Sequence, residues 1–177
     1  MILLNSLYKT TNYKFSIMND IQSLNQNSRV WIYQSNREFT EAEVELINQQ
    51  IASFTQSWTS HNQELKAAGN VYHQRFIVLM VDQSMAGASG CSIDKSVKFI
   101  QFLESEYNVD MFDRMNFAYE QDQSVMTAHR EGFQDLYKKG IIDDDTFVFN
   151  NLVDTKQGFE TNWKVKLGDS WHKNLIN

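Results

Sequence analysis

Arg75-Phe-Ile-Val-Leu-Met-Val-Asp82-Gln-Ser-Met-Ala-Gly87-Ala-Ser89-Gly90-Cys91-Ser92-Ile-Asp-Lys-Ser96 reads as a buried strand, a loop of small residues and the start of a helix. The apolar run from Phe76 to Val81 suits a central strand covered on both faces. Asp82 closes that strand, Gly87 and Gly90 supply the turn, and Cys91 stands at the helix start. An acid, glycines and a thiol in this order mark the place where α/β proteins usually hold a ligand or a reactive group.

Working outward, Arg29 to Gln34 is β-branched and aromatic and stops at Ser-Asn, which predicts a strand. Thr40 and Glu43 then have capping-box spacing, with Phe39 and Val44 placed as a hydrophobic staple across the helix start. Val44, Ile47, Ile51, Phe54, Trp58, His61 and Leu65 recur at three- and four-residue steps, predicting one long amphipathic helix of about seven turns that Gly69 ends. The next strand is expected over Val71 to Asp82. Ile93, Val97, Ile100, Leu103 and Tyr107 give the core face of a second helix. Strand, helix, strand, helix over residues 29–107 predicts a right-handed crossover between parallel strands. The expected class is α/β, with α+β the alternative: a mixed sheet, a long amphipathic helix and a small carboxyl-terminal hairpin-helix-strand unit.

Composition bounds the function. Hydrophobic residues at 42% and aromatics at 13% suffice for a real core in a chain of 177 residues. A net charge of -6 argues against a nucleic-acid or anionic-membrane partner, both of which need a dense basic face. No apolar run reaches the roughly 18 residues that span a bilayer, and one cysteine cannot form an internal disulfide. The expected compartment is the cytoplasm. Met1 to Leu4 is far shorter than a signal-peptide core, residues 1–27 read as a loosely ordered arm, and Met18 is an alternative start. Residues 28–113 read as the core and 114–177 as a second unit packed on it.

The 87–94 loop offers two chemistries. As a binding site, the N–H groups around Gly90 to Ile93, with the Ser89 and Ser92 hydroxyls, Asp82, Gly87, Cys91, Arg37 and Trp171, would hold a small anion or contact a protein partner. Helix capping by Ser92 is the plainer account of the same residues. As an enzyme, Cys91 would be a nucleophile with a thiol activated by the helix start, His61 or His172 its base, and the helix-start N–H groups an oxyanion hole. Gly87, Ser89 and Cys91 come within one residue of the Gly-x-Ser-x-Gly elbow, with Asp154 and His172 nominally completing a triad. Asp94 stands where a phosphate-binding loop needs the glycine before its lysine, so ATP hydrolysis is not supported. Asp82, Asp94, Asp110, Asp113 and the Asp143 to Asp145 run lack calcium-loop spacing, and the four histidines form no ligand pair, so no metal or cofactor is expected.

Downstream, Met115 to Glu120 and Ser124 to Thr127 predict a hairpin around Gln121 and Asp122, followed by a helix to Lys139, a Gly140 stop and a strand over Thr146 to Phe149. Over residues 115–153 this order resembles the bacterial GYF-like domains, which implies an adaptor. Thr127, Ala128 and His129 stand in place of their Gly-Pro-aromatic element. From Ser28 onward, the segments 28–37, 90–94, 148–153 and 169–172 look like a family of small bacterial proteins often labelled "ABC transporter ATPase". The chain has neither the Gly-Lys-Ser/Thr loop nor the Leu-Ser-Gly-Gly-Gln signature that such a label requires. The expectation is therefore a noncatalytic binding or adaptor protein, with the thiol-dependent enzyme as its competitor.

Overall fold

A computed structural model describes residues 21–84 and 88–176. The chain begins with a helical turn at Ile21 and then forms β1 (Arg29–Gln34), α1 (Glu41–Ser57), a short hairpin of β2 (Thr59–Ser60) and β3 (Gln63–Glu64), β4 (Lys66–Tyr72), β5 (Phe76–Asp82) and α2 (Gly90–Tyr107). The second half runs β6 (Asn116–Gln121), β7 (Ser124–His129), α3 (Arg130–Lys138), β8 (Phe147–Phe149), α4 (Lys156–Asn162) and β9 (Lys164–Lys166), closing in two 3₁₀ turns. Helices and sheets together make a mixed α/β fold.

Among the described residues every ladder is antiparallel. The first sheet has the order β1-β5-β4 and the second β7-β6-β8-β9. This corrects the expected parallel crossover. The stretch expected as one strand from Val71 to Asp82 turns back at His73 and Gln74, whose φ values are 48° and 51°. β4 and β5 are thus two arms of a hairpin, so β5 runs antiparallel to β1, with Trp31 opposite Leu79. His and Gln carry this tight turn in place of the Asn-Gly or Asp-Gly pairs that announce one.

The long helix is also shorter than its apolar spacing implies. The Thr40–Glu43 capping box forms as expected, but α1 stops at Ser57, and Trp58 takes extended backbone. The Thr55 and Ser57 hydroxyls donate back to carbonyls of their own helix, which weakens its last turn. Trp58 and Leu65 share the core because the Leu65 N–H donates to the Trp58 carbonyl across the β2–β3 hairpin, and not because they share a helical stripe. His61 sits at the tip of that hairpin, exposed and in left-handed backbone. Gly69, expected to end the helix, lies within β4. A Cβ there would stand 2.7 Å from the Val78 carbonyl oxygen and 2.9 Å from Ile51 of α1, so the residue lets helix and sheet approach.

β5 is buried along its whole length. α1 and α2 cover one face through Ile47, Ile51, Trp58, Ile77, Leu79, Ile100 and Leu103. The second sheet covers the other, where Val30, Phe76, Val78 and Met80 meet Ala118, Val125, Phe149 and Trp163. A third apolar layer, with Phe117, Phe133, Val148 and Leu167, packs α3 and the tail onto the outer side of the second sheet. Residues 21–27, read from sequence as part of a loose arm, are tied down: Ile21 and Leu24 are buried, and Lys156 donates to the carbonyls of Gln22 and Leu24. Residues 1–20 lie outside the described residues.

Candidate functional site

At the start of α2, Ser89 is the cap. Its hydroxyl accepts the Ser92 N–H and a hydrogen bond from the Ser60 hydroxyl at 2.9 Å. Ser92, the expected cap, is buried instead, donating to the Ser89 carbonyl while its own carbonyl accepts the Trp58 indole N–H at 2.8 Å. Gly90 and Cys91 are exposed in the first helical turn. Among the described residues no hydrogen bond joins Cys91 to His61 or His172; Gly87 lies outside the described residues.

The remaining residues expected at this loop are placed elsewhere or otherwise engaged. Asp82 is buried and accepts the Ser84 N–H at 3.0 Å and Lys66 at 3.3 Å. The Ser84 hydrogen bonds chiefly hold its carboxyl below the ordinary range, so the carboxylate serves to end β5. Arg37 grips Glu43 with both terminal nitrogens and donates to the carbonyl of Tyr107 at 2.6 Å. Tyr107 closes α2 and Gly90 opens it, so Arg37 lies at the far end of that helix, roughly 25 Å from the loop. Trp171 belongs to a different site.

That site is a groove of ≈ 350 Å³ between the two halves of the chain. Its floor is β1 from Arg29 to Gln34. Residues 111–117 form one wall and 151–154 the other, with Phe149, Trp171 and His172 at the end. Side-chain amides fix the walls. Gln34 donates to the Asn116 carbonyl at 2.9 Å and accepts from Asn151 at 2.9 Å, and Asn151 in turn accepts the Trp163 indole N–H at 3.0 Å. The neighbouring Asn150 accepts the Trp171 indole N–H at 2.9 Å. His172 stacks under Trp171, pairs through Nδ1 with the Ser170 hydroxyl at 2.7 Å, and is held neutral by burial, which pushes its pKa down to about 4.

Parts of three of the segments that carried the family resemblance, 28–37, 148–153 and 169–172, therefore line one groove. Sequence reasoning found these strings but not their meeting, because long-range pairing leaves no local spacing to read. Arg29, Arg114 and Leu152 were missed altogether; all three are exposed at the groove. Among the described residues no cluster of three or more His, Cys, Asp or Glu is placed to hold a metal ion, and no helix is long and apolar enough to cross a membrane. In comparisons with protein-family models, curated proteins and solved structures, nothing matches the chain.

Proposed function

We propose that the protein is a noncatalytic binding protein, an adaptor that holds a protein partner in the groove between its two sheets. The observation that carries this reading is the convergence of β1, residues 111–117, residues 149–154 and the Trp171–His172 pair on one cavity whose amide side chains are already hydrogen-bonded. Amides spent on one another set the shape of a surface and are not themselves proton-transfer groups. His172, the titratable ring at the groove's end, is neutral and tied to Ser170. The hairpin, helix and strand in order over 116–149 support the likeness to GYF-like adaptor modules. An exposed, unpaired thiol suits a reducing compartment, so the cytoplasm is the proposed location.

The test is selection of a random dodecapeptide display library on the immobilised wild-type protein, followed by binding to Leu152→Asp, a change at an apolar groove residue that is 67% exposed. Enriched peptides should bind wild type and lose about tenfold on the variant. A library that fails to converge, or peptides indifferent to Leu152→Asp and to Arg114→Glu, would remove the groove as the contact surface.

A further inference from the structure

The floor of the groove is the unpaired edge of a sheet. β1 pairs with β5 on one side only. On the other side, its first residues are already engaged by the chain itself: Lys156 N–H donates to the Ser28 carbonyl, Arg29 bridges to Thr155, and Val30 N–H donates to the Asp154 carbonyl at 2.9 Å. At the far end, Asn36 N–H donates to the Asp110 carbonyl at 2.9 Å. Successive residues of a strand point their backbone groups to opposite edges, so the Val30 and Asn36 bonds fix the parity of the residues between them. Ile32 N–H, Ile32 C=O, Gln34 N–H and Val30 C=O all face the groove. Among the described residues none of them has a hydrogen-bonding partner. Val30 to Gln34 also has no lysine, proline or bulge to blunt the edge.

A row of alternating donors and acceptors at strand spacing is matched by another extended backbone and by little else. The ladder that Asp154 to Lys156 begins is broken off at Val30, so an added strand would continue an edge pairing the fold has started. Apolar side chains stand exposed on both walls, with Phe112 at 37% and Leu152 at 67%. Charge marks the ends. Among the described residues neither Arg29 nor Arg114 is in an ion pair. Asp113, next to Arg114 in the chain, accepts the Met115 N–H at 2.8 Å. Arg114 is the cation close to Tyr33, toward the Gln34 end of β1.

Resting on the binding role above, we propose that the groove takes an extended peptide segment of a partner protein. The segment adds to the free edge of β1 as a fourth strand of the first sheet, is apolar at alternate positions, and carries an acidic residue at the end beside Arg114. Main-chain hydrogen bonds to Ile32 hold it, Phe112 and Leu152 receive its side chains, and Arg114 sets its direction.

The probe is a panel of acetylated, amidated heptapeptides alternating threonine with valine, leucine or phenylalanine and ending in glutamate. It is used with the full chain and read by amide hydrogen exchange and 15N NMR. Saturation should slow exchange at Ile32 and Gln34 about tenfold or more. N-methylation of the peptide amide facing Ile32 should weaken binding about tenfold, while methylation of the next amide, which points away, leaves it unchanged. Glutamate→lysine in the peptide should weaken binding, and Arg114→Glu should restore it. Ile32→Pro removes the same donor from the protein at an edge position that tolerates it; should that variant unfold, the N-methyl pair still decides. If the panel fails while display peptides converge on the groove, or if groove-bound peptides ignore N-methylation in both registers, strand addition is overturned and the binding role stands. If neither the panel nor the library engages the groove, both fall.

Discussion

The side-chain amide of Asn151 donates to the side-chain oxygen Oε1 of Gln34 at 2.9 Å, joining the first strand of the chain to the turn that follows β8. Gln34 is buried and its nitrogen is committed to the Asn116 carbonyl. Loss of either partner strands a polar group inside the junction. Gln34→Ala and Asn151→Ala should each cost about 1–3 kcal/mol in urea unfolding. The double variant should cost less than their sum, and strict additivity would show that the two amides are not coupled.

Two glycines should respond in opposite directions. Gly69→Ala places a Cβ 2.7 Å from the Val78 carbonyl and 2.9 Å from Ile51, so overpacking should destabilise the protein by about 1–3 kcal/mol. Gly90 lies in the first turn of α2, where an added Cβ meets nothing within 4 Å. Gly90→Ala should stabilise by up to about 1 kcal/mol through helix propensity and a less flexible unfolded chain. Thermal denaturation of both variants checks the contrast.

Burial of His172 makes stability depend on pH. Its pKa falls from 6.5 to about 4 in the fold, so between those values the unfolded chain binds a proton that the folded chain refuses. The contribution of the neutral ring is complete above about pH 6.5 and is lost as pH falls toward 4. The loss reaches up to about 3 kcal/mol. His172→Asn should flatten that part of the curve. His73, also lowered by burial, remains in both proteins and cancels in the comparison. Parallel pH profiles for wild type and variant would refute the assignment.

Cys91 is exposed in the first turn of α2. Iodoacetamide should therefore label it in the native protein at a rate within a few-fold of the urea-unfolded chain. Labelling that requires urea would contradict the exposure of this helix start.

Much of the fold was legible in the sequence because it is written locally. The β1 pattern, the Thr40–Glu43 box, the apolar run of β5 and the 116–149 order each lie within a few residues of their own signal. Errors came where position-specific turns lacked their usual residues. His61–Asn62 and His73–Gln74 both take positive φ without glycine. Trp58 and Leu65 kept helical spacing while flanking a hairpin, so periodicity extended α1 beyond its end, and the turn at His73–Gln74 hid the break between β4 and β5. The site was less legible still. Its residues come from segments more than a hundred positions apart, and the property that distinguishes it, a free backbone edge, belongs to no side chain.

The apolar layer between the two sheets draws on Ile21, the β-strands of the first half and Phe149 and Trp163 of the second. Neither half is therefore portable. Severed near residue 113, the first would expose the inner face of β5 and the second would lose the surface on which its hairpin rests. This carboxyl-terminal unit is not a cassette to be transplanted, and the chain should melt in one cooperative transition.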